Sequence, residues 1–238
     1  MGRTRRSPDQ LTAAGHRDRQ YLVGARRGRR GVLSPRREQL PWAILARHRG
    51  RSPEHSDNYR KPYDALVDYL DELDAASVPT SRRVLAALGP KVLKLSAQRS
   101  AGAHPYLTTP EHTAGARELV GNSVFLAPEH KVILTDDVDE ARRIGRQTVG
   151  FYLGLRNYVN NWRRLGFGDD DVRKPGSDKL IDAVVAYGTP DAIAARLNEH
   201  LEAGADHVAI QVLGTGSDEE LLRTLSGLAR PLGLTPKG

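Results

Sequence analysis

Apolar positions along the chain follow two regimes. Before Tyr59 they come in clumps, "YLVGA" and "PWAILA", between arginine runs, with no sustained period of 3.6 or 2. From Tyr59 onward they recur with a regular spacing. In "PYDALVDYLDELDAA", Leu66, Tyr69, Leu70 and Leu73 share one face, and Asp68, Asp71, Glu72 and Asp74 fall mostly on the other, which predicts a helix over 63–76. "RRVLAAL" predicts a short strand over 84–88. "GPKVLKLSAQRS" opens a helix with Pro90 in the first turn, where its missing N–H costs nothing. "AGAHPYL" returns to an extended segment. "TPEHTAGARELVG" starts another helix, with Thr109 as cap and Pro110 after it. "HKVILTDD" reads as a strand centred on 132–134.

The next segment, 137–167, is helical, but Gly145, Gly150 and Gly154 predict a break or several short helices. A polar loop, "GDDDVRKPGSD", leads to "KLIDAVVAYG", which reads as a compact apolar helix. The last unit is the most regular. In "GTPDAIAARLNEHLEAGAD", Thr189 caps, Pro190 follows and Asp191 complements the helix dipole. Ile193, Leu197 and Leu201 make one stripe, and Gly204 is placed to stop the helix. The strand over 207–213 has Val208, Ile210 and Val212 on one face and Ala209, Gln211 and Leu213 on the other. "SDEELLRTLSGLARPLG" closes the chain as a helix, with Ser217 and Glu220 in capping-box register.

Strands alternating with helices predict a parallel sheet covered by helices, and the nearly continuous apolar strands fit burial on both faces. The small and polar face of the last strand, Ala209 and Gln211, suits a barrel interior with the valines outward under helices. The fold class expected is therefore α/β, a partial or distorted (β/α)8 TIM-type barrel, with its functional groups beyond the strands' C-terminal ends.

Composition changes this picture in one region. Of the net charge of +7, residues 1–62 hold 16 lysines and arginines against 5 acidic residues, whereas 63–238 hold 20 against 24. The basic character belongs to the first quarter alone. Two domains are expected, a basic low-order segment over 1–58 and the barrel region over 59–238, with a helical insertion at about 137–187. The first segment reads as a disordered or non-native leader. The competing reading, a basic arm for nucleic acid, lacks interleaved aromatics and a binding fold. The chain has no cysteine, which excludes disulfides and thiolate chemistry and fits a cytoplasmic setting. No apolar run approaches the ~20 residues that span a membrane.

Three segments would meet at the C-terminal face. In "AALGPK", Ala86, Ala87, Leu88, Gly89, Pro90 and Lys91 turn from strand to helix through a glycine. Backbone, helix N-terminus and Lys91 are then open to a ring or a phosphate. In "GAHPYLTTP", His104 and Tyr106 follow a strand and flank a proline, where a histidine can move a proton. In "LGTGS", the acidic run from Asp218 to Glu220 argues against phosphate, and Ser217 reads as a cap. Tyr158, Asn160 and Asn161 reach a substrate if their helix lies over the barrel mouth. No histidine pair has the spacing of a metal motif, and no nucleophile elbow, Walker loop or dinucleotide fingerprint occurs.

"RRVLAALGPKVLKLSAQRSAGAHPYLTTPEHTAGARELVG", "APEHKVIL", "NYVNNWRRLGF" and "GTPDAIAARLNEHLEAGADHVAIQVLG", in that order, resemble the luciferase-like monooxygenase superfamily, most closely its coenzyme F420-dependent oxidoreductase branch. The resemblance runs from about 59 to 233. It implies a (β/α)8 barrel that binds a deazaflavin or FMN at its C-terminal face. Carried over, Ala86 to Pro90 match the loop lying against the cofactor, His104 to Tyr106 the rim after the sixth strand, and Gln211 an inward position on the eighth. The implied function is flavin- or deazaflavin-dependent hydride transfer or monooxygenation of a small organic substrate. The first four strands of the family have no counterpart in residues 1–52. A non-catalytic fragment or a partner-dependent subunit is the alternative. A homo-oligomer is an open expectation, and nucleic-acid binding through the basic arm ranks last.

Overall fold

The computed structural model of the protein describes residues 43–45 and 61–234. The expectations placed on 1–58 lie outside the described residues, except at Ala43–Leu45, which forms strand β1. Seven strands and eight helices follow one another among the described residues: β1, α1 (Pro62–Ala75), β2 (Arg83–Leu85), α2 (Pro90–Arg99), β3 (Gly102–Ala103), α3 (Pro110–Val120), β4 (Phe125–Leu126), β5 (Glu129–Ile133), α4 (Val138–Tyr152), α5 (Arg156–Arg164), α6 (Asp178–Val184), β6 (Val185–Tyr187), α7 (Pro190–Glu202), β7 (Ala209–Val212) and α8 (Asp218–Ala229).

Every strand pair is parallel, as the strand–helix alternation predicts. One sheet has the order β1-β2-β3-β4 and the other β6-β5-β7. β4 runs on into β5 after two residues, and a parallel bridge between Tyr106 and Glu129 carries the β3 line onto β5. The two sheets therefore follow one another in an arc, β2 to β3 to β4/β5 to β7, which is part of a barrel.

Side-chain alternation sorts the core. Leu85, Ala87, Ala103 and Leu126 pack outward against Leu70, Leu93 and Ala116 from α1, α2 and α3. Val208, Ile210 and Val212 pack outward against Ile193 and Leu197 of α7 and Leu228 of α8. That leaves Ala209 and Gln211 for the interior, as their polarity predicts.

The caps hold where the sequence places them. Thr109, Thr189 and Ser217 each accept a bond from the backbone N–H three residues on. Gly204 ends α7 with a φ of +101°, and a Cβ there would come within 3.0 Å of Arg117. Two expectations need correction. The strand at "RRVLAAL" spans Arg83–Leu85, and residues 86–88 already belong to the turn. "KLIDAVVAYG" is not all helix. α6 ends at Val184, and the β-branched, aromatic "VAY" becomes β6 because β5 offers it an edge at Lys131 to Ile133. The insertion breaks at 153–155, between α4 and α5, next to Gly154.

Candidate functional site

The mouth of the arc is built from the ends of β2, β3, β5 and β7 and covered by the insertion. Half-buried Leu88, Tyr106 and Leu213, from the ends of β2, β3 and β7, all pack against one cluster that includes Leu107, Ile133, Tyr158 and Trp162. The helix α5 supplies Tyr158 and Trp162, so it lies over the mouth. The Trp162 indole donates to the Leu107 carbonyl at 3.1 Å. Leu107 is fully buried with a φ of +46°, a left-handed conformation that a leucine adopts only when packing compels it.

The turn after β2 is pinned from both sides. Ala86 and Leu88 are half-buried, while Ala87 is buried toward the helices and reaches the mouth through backbone alone. The Leu88 carbonyl accepts from His112 Nε2 at 2.8 Å, which fixes that ring as the Nε2–H form when neutral. Gly89 is the N-cap of α2, in extended conformation and with no side chain to cap the helix. Pro90 and Lys91 are exposed. The Arg164 guanidinium sits 3.7 Å from where a Gly89 Cβ would lie, and its other neighbour is Asn161 Oδ1 at 3.1 Å. A helix N-terminus and Arg164 thus meet at a glycine backbone, with Lys91 exposed in the first turn of the same helix, a setting that favours an anion.

His104 is 1% exposed. Its Nδ1 bonds to the Ala127 carbonyl, which only accepts, so the neutral ring carries its proton on Nδ1 and leaves Nε2 as a lone pair without a partner. Burial pushes this histidine down to about 4, only partly opposed by that bond, with His207 and Lys131 adding to the fall. At neutral pH it offers an acceptor rather than a proton. The Tyr106 ring meets His104 edge-on at 4.8 Å and has Lys131 Nζ 5.4 Å above its centroid.

Lys131 and Glu129 are the residues that sequence reasoning missed. They form an ion pair at 2.8 Å with both side chains 1% exposed, inside the arc. Gln211, inward as expected, accepts a further bond from Lys131. The signal was present: two opposite charges at i and i+2 in an apolar strand must face the same way, and a buried charge persists only when paired. Tyr158 is buried against Tyr152 and Trp162, at 4.7 and 5.9 Å between centroids, and burial raises its phenol. Asn161 is 2% exposed with its Nδ2 unpartnered, and Thr108 Oγ1 is likewise buried without a partner. Asn160, by contrast, is exposed.

These residues divide into two groups. Ala86 to Lys91, with Arg164 and Asn161, form an anion-favouring turn. His104, Tyr106, Lys131, Gln211 and Tyr158 line a polar floor and an aromatic cover. No group of three or more metal-ligating side chains occurs among the described residues, and no described helix is long and apolar enough to cross a membrane.

No protein-family model matches the chain, and no curated protein matches it in sequence. Solved structures do. The structure of apo-MsnO8 matches with a TM-score of 0.51 and 17% identity, over 76% of this chain and 64% of that one. A coenzyme F420-dependent tetrahydromethanopterin reductase from Methanopyrus kandleri matches with a TM-score of 0.43 and 19% identity, over 65% of this chain and 50% of that one. The oxygenating constituent of 3,6-diketocamphane monooxygenase from Pseudomonas putida, a type II Baeyer–Villiger monooxygenase in complex with FMN, matches with a TM-score of 0.39 and 19% identity, over 63% and 46%. The chain spans 64% or less of the length of these structures. The first likeness shows the fold alone: the described residues share the fold of apo-MsnO8 over 76% of this chain, in keeping with the partial parallel barrel that the sequence pattern predicts.

Proposed function

We propose that this chain, whose described residues share the fold of apo-MsnO8, belongs to an oxidoreductase of the luciferase-like type that uses a flavin-type cofactor. Coenzyme F420 is the first choice and FMN the alternative. Among the structural neighbours, one is named as a coenzyme F420-dependent reductase and one as a monooxygenase in complex with FMN. The observation that carries the reading for this chain is the pair of buried unpartnered atoms, His104 Nε2 and Asn161 Nδ2, at a mouth where Leu88, Tyr106 and Leu213 converge. A buried polar atom left without a partner in an otherwise packed site is a reason to look for a ligand. A lone pair and an N–H donor beside apolar and aromatic edges suit a flat polar heterocycle. The turn at Gly89, with Arg164 at 3.7 Å, suits the anionic tail that both cofactors carry.

Such a cofactor, once bound, supplies the hydride chemistry. The chain's own residues position it. Ala86 to Gly89 present backbone, and Lys91 and Arg164 hold negative charge. Asn161 donates, and His104 accepts a proton or a hydrogen bond. Tyr106 and Gln211 form the edge toward a small organic substrate, with Lys131 and Glu129 holding both from beneath. Tyr158 and Trp162 exclude water. A cytoplasmic setting, self-association and a small-molecule rather than nucleic-acid partner accompany this reading.

A second reading rests on a separate observation. β7 has β5 as its one strand partner among the described residues, and the chain covers 64% of the apo-MsnO8 chain. The alternative is a non-catalytic or partner-dependent subunit that completes its barrel with another polypeptide. Fluorescence titration of the full chain with coenzyme F420 and, separately, with FMN tests both. Saturable binding that Asn161→Leu weakens about tenfold, the loss of about 1.4 kcal/mol expected for one hydrogen bond to a polar ligand, supports the first reading. A folded chain that binds neither cofactor rejects it in favour of the second.

A further inference from the structure

β5 carries a second polar device on its outer face, away from the mouth. Glu129 and Lys131 point inward, and His130 between them points toward α3 and α7. His130 and His200, on α7, are both 0% exposed. His130 Nδ1 lies 3.0 Å from His200 Nε2, and the rings meet edge-on with centroids 4.9 Å apart. His200 Nδ1 lies 2.8 Å from Thr113 Oγ1 on α3, and that hydroxyl is 3.4 Å from the Thr109 carbonyl. One hydrogen-bonded chain therefore crosses β5, α7 and α3.

Its direction follows from its ends. The Thr109 carbonyl can only accept, so the Thr113 hydroxyl donates to it and accepts from His200 Nδ1–H. Neutral His200 then has a lone pair on Nε2, which accepts from His130 Nδ1–H. The atom left over is His130 Nε2, a bare lone pair and the chain's unpartnered atom. The opposite direction would strand a buried N–H instead, the rarer and costlier defect. A proton added to His200 forces His130 into the other tautomer. The result is a buried imidazolium and a stranded N–H together. Most of the charged groups near the pair oppose that state, Lys131 from the other face of β5, and Glu111 alone favours it. Arg196 on α7 and Lys131 on β5 are cations, His112 on α3 can become one, and Glu111 on α3 is the carboxylate among them.

We propose that the His130–His200–Thr113 chain is an acid-released latch. Neutral, it fastens α3 and α7 to the outer face of β5. Protonated, it releases α7 before the rest of the fold opens. Because His130 sits between Glu129 and Lys131, release also loosens the ion pair beneath the mouth. The device stands whether or not the mouth binds a flavin-type cofactor.

Hydrogen exchange of the full chain between pH 7.5 and 4.5, corrected for the intrinsic pH dependence, tests it. Each histidine that is neutral when latched and charged when released steepens the loss of protection by up to tenfold per pH unit below ~6.5. Protection in α7 is expected to fall by between ten- and a hundredfold per pH unit while α6 holds. His200→Gln, which keeps a donor and an acceptor but does not titrate, is expected to reduce that slope to tenfold or less. Equal slopes in α7 and α6, or an unchanged α7 slope in the variant, overturn the latch. Should the variant not fold, ring-nitrogen NMR of the unaltered protein decides. Nδ1–H neutral forms of both His130 and His200 at pH 7 support the chain, and an Nε2–H form or a charged ring at either overturns it.

Discussion

The frame of the molecule, α1 to α3 with β2 to β4, and its cover, α4 to α6, are both largely helical, yet they are held by different means. The frame is held by alternation. Each short strand sends one row of side chains to the helices, and Leu85, Ala103 and Leu126 meet Leu70, Leu93 and Ala116 there. The cover is held by one apolar cluster, in which Val149, Leu153, Trp162 and Ile181 meet Leu107 and Ile133, and by individual contacts on top of it. Trp162 reaches the Leu107 carbonyl, a Cβ on Gly145 would press within 2.8 Å of Ile181, and Arg142 grips Asp182 through two nitrogens, at 3.0 and 2.6 Å. The frame sets where the mouth is, and the cover sets what can lie in it.

Acid separates the two regions most strongly. None of the eight histidines falls in 137–187, while His104, His112, His130 and His200 are buried on the frame and its neighbouring strand–helix unit. Burial is the first cause in lowering all four, His104 to about 4 and His200 to about 3. Folded protein therefore binds fewer protons than unfolded chain. The stability these rings contribute is present above ~pH 6.5 and is lost as pH falls toward 4, at about 1 kcal/mol per ring per pH unit. Unfolding free energies from urea titrations at pH 7.5 and 5 are expected to differ by several kcal/mol. A frame as stable at pH 5 as at pH 7.5 would contradict the buried neutral state.

Trp162→Ala attacks the cover instead. Removing a fully buried indole is expected to cost about 3–5 kcal/mol, with exchange rising first in α5 and in 104–109 and last in α2. Uniform exchange across both regions would mean that the cover is not a separate unit. The caps give the smallest effect. Thr109→Ala in the frame and Ser177→Ala in the cover each remove an N-cap acceptor and are expected to cost about 1 kcal/mol. Ser177 also bonds Asp171 at 2.7 Å and the Thr109 side chain also bonds Glu111, so the two variants should show similar losses in thermal unfolding.

The same contrast explains what the sequence made legible. Stripes such as Ile193 and Leu197, the caps at Thr109, Thr189 and Ser217, and the inward face of Gln211 follow from periods and local chemistry, and the structure has them there. The turn at Ala86 to Lys91 was legible because a glycine and a proline mark it. The roles of Arg164 and His112 were not, because each depends on a partner more than two elements away, and Asn161 was readable only on the condition that its helix covers the mouth. Lys131 and Glu129 lay between, readable as a buried pair from their i, i+2 spacing though not assignable to the mouth. The switch of "VAY" from helix to strand needed knowledge of the free edge on β5, which no local pattern carries.

The central claim is that the ends of β2, β3, β5 and β7 under α5 hold a flavin-type ring. Amide chemical-shift mapping of the full chain on addition of coenzyme F420, repeated with FMN, tests it most directly. The account predicts shifts that saturate and centre on 86–91, 104–108, 158–164 and 211–214, with α1 and α8 unmoved. Shifts centred on the outer helices, or none with either cofactor in a folded chain, would contradict it.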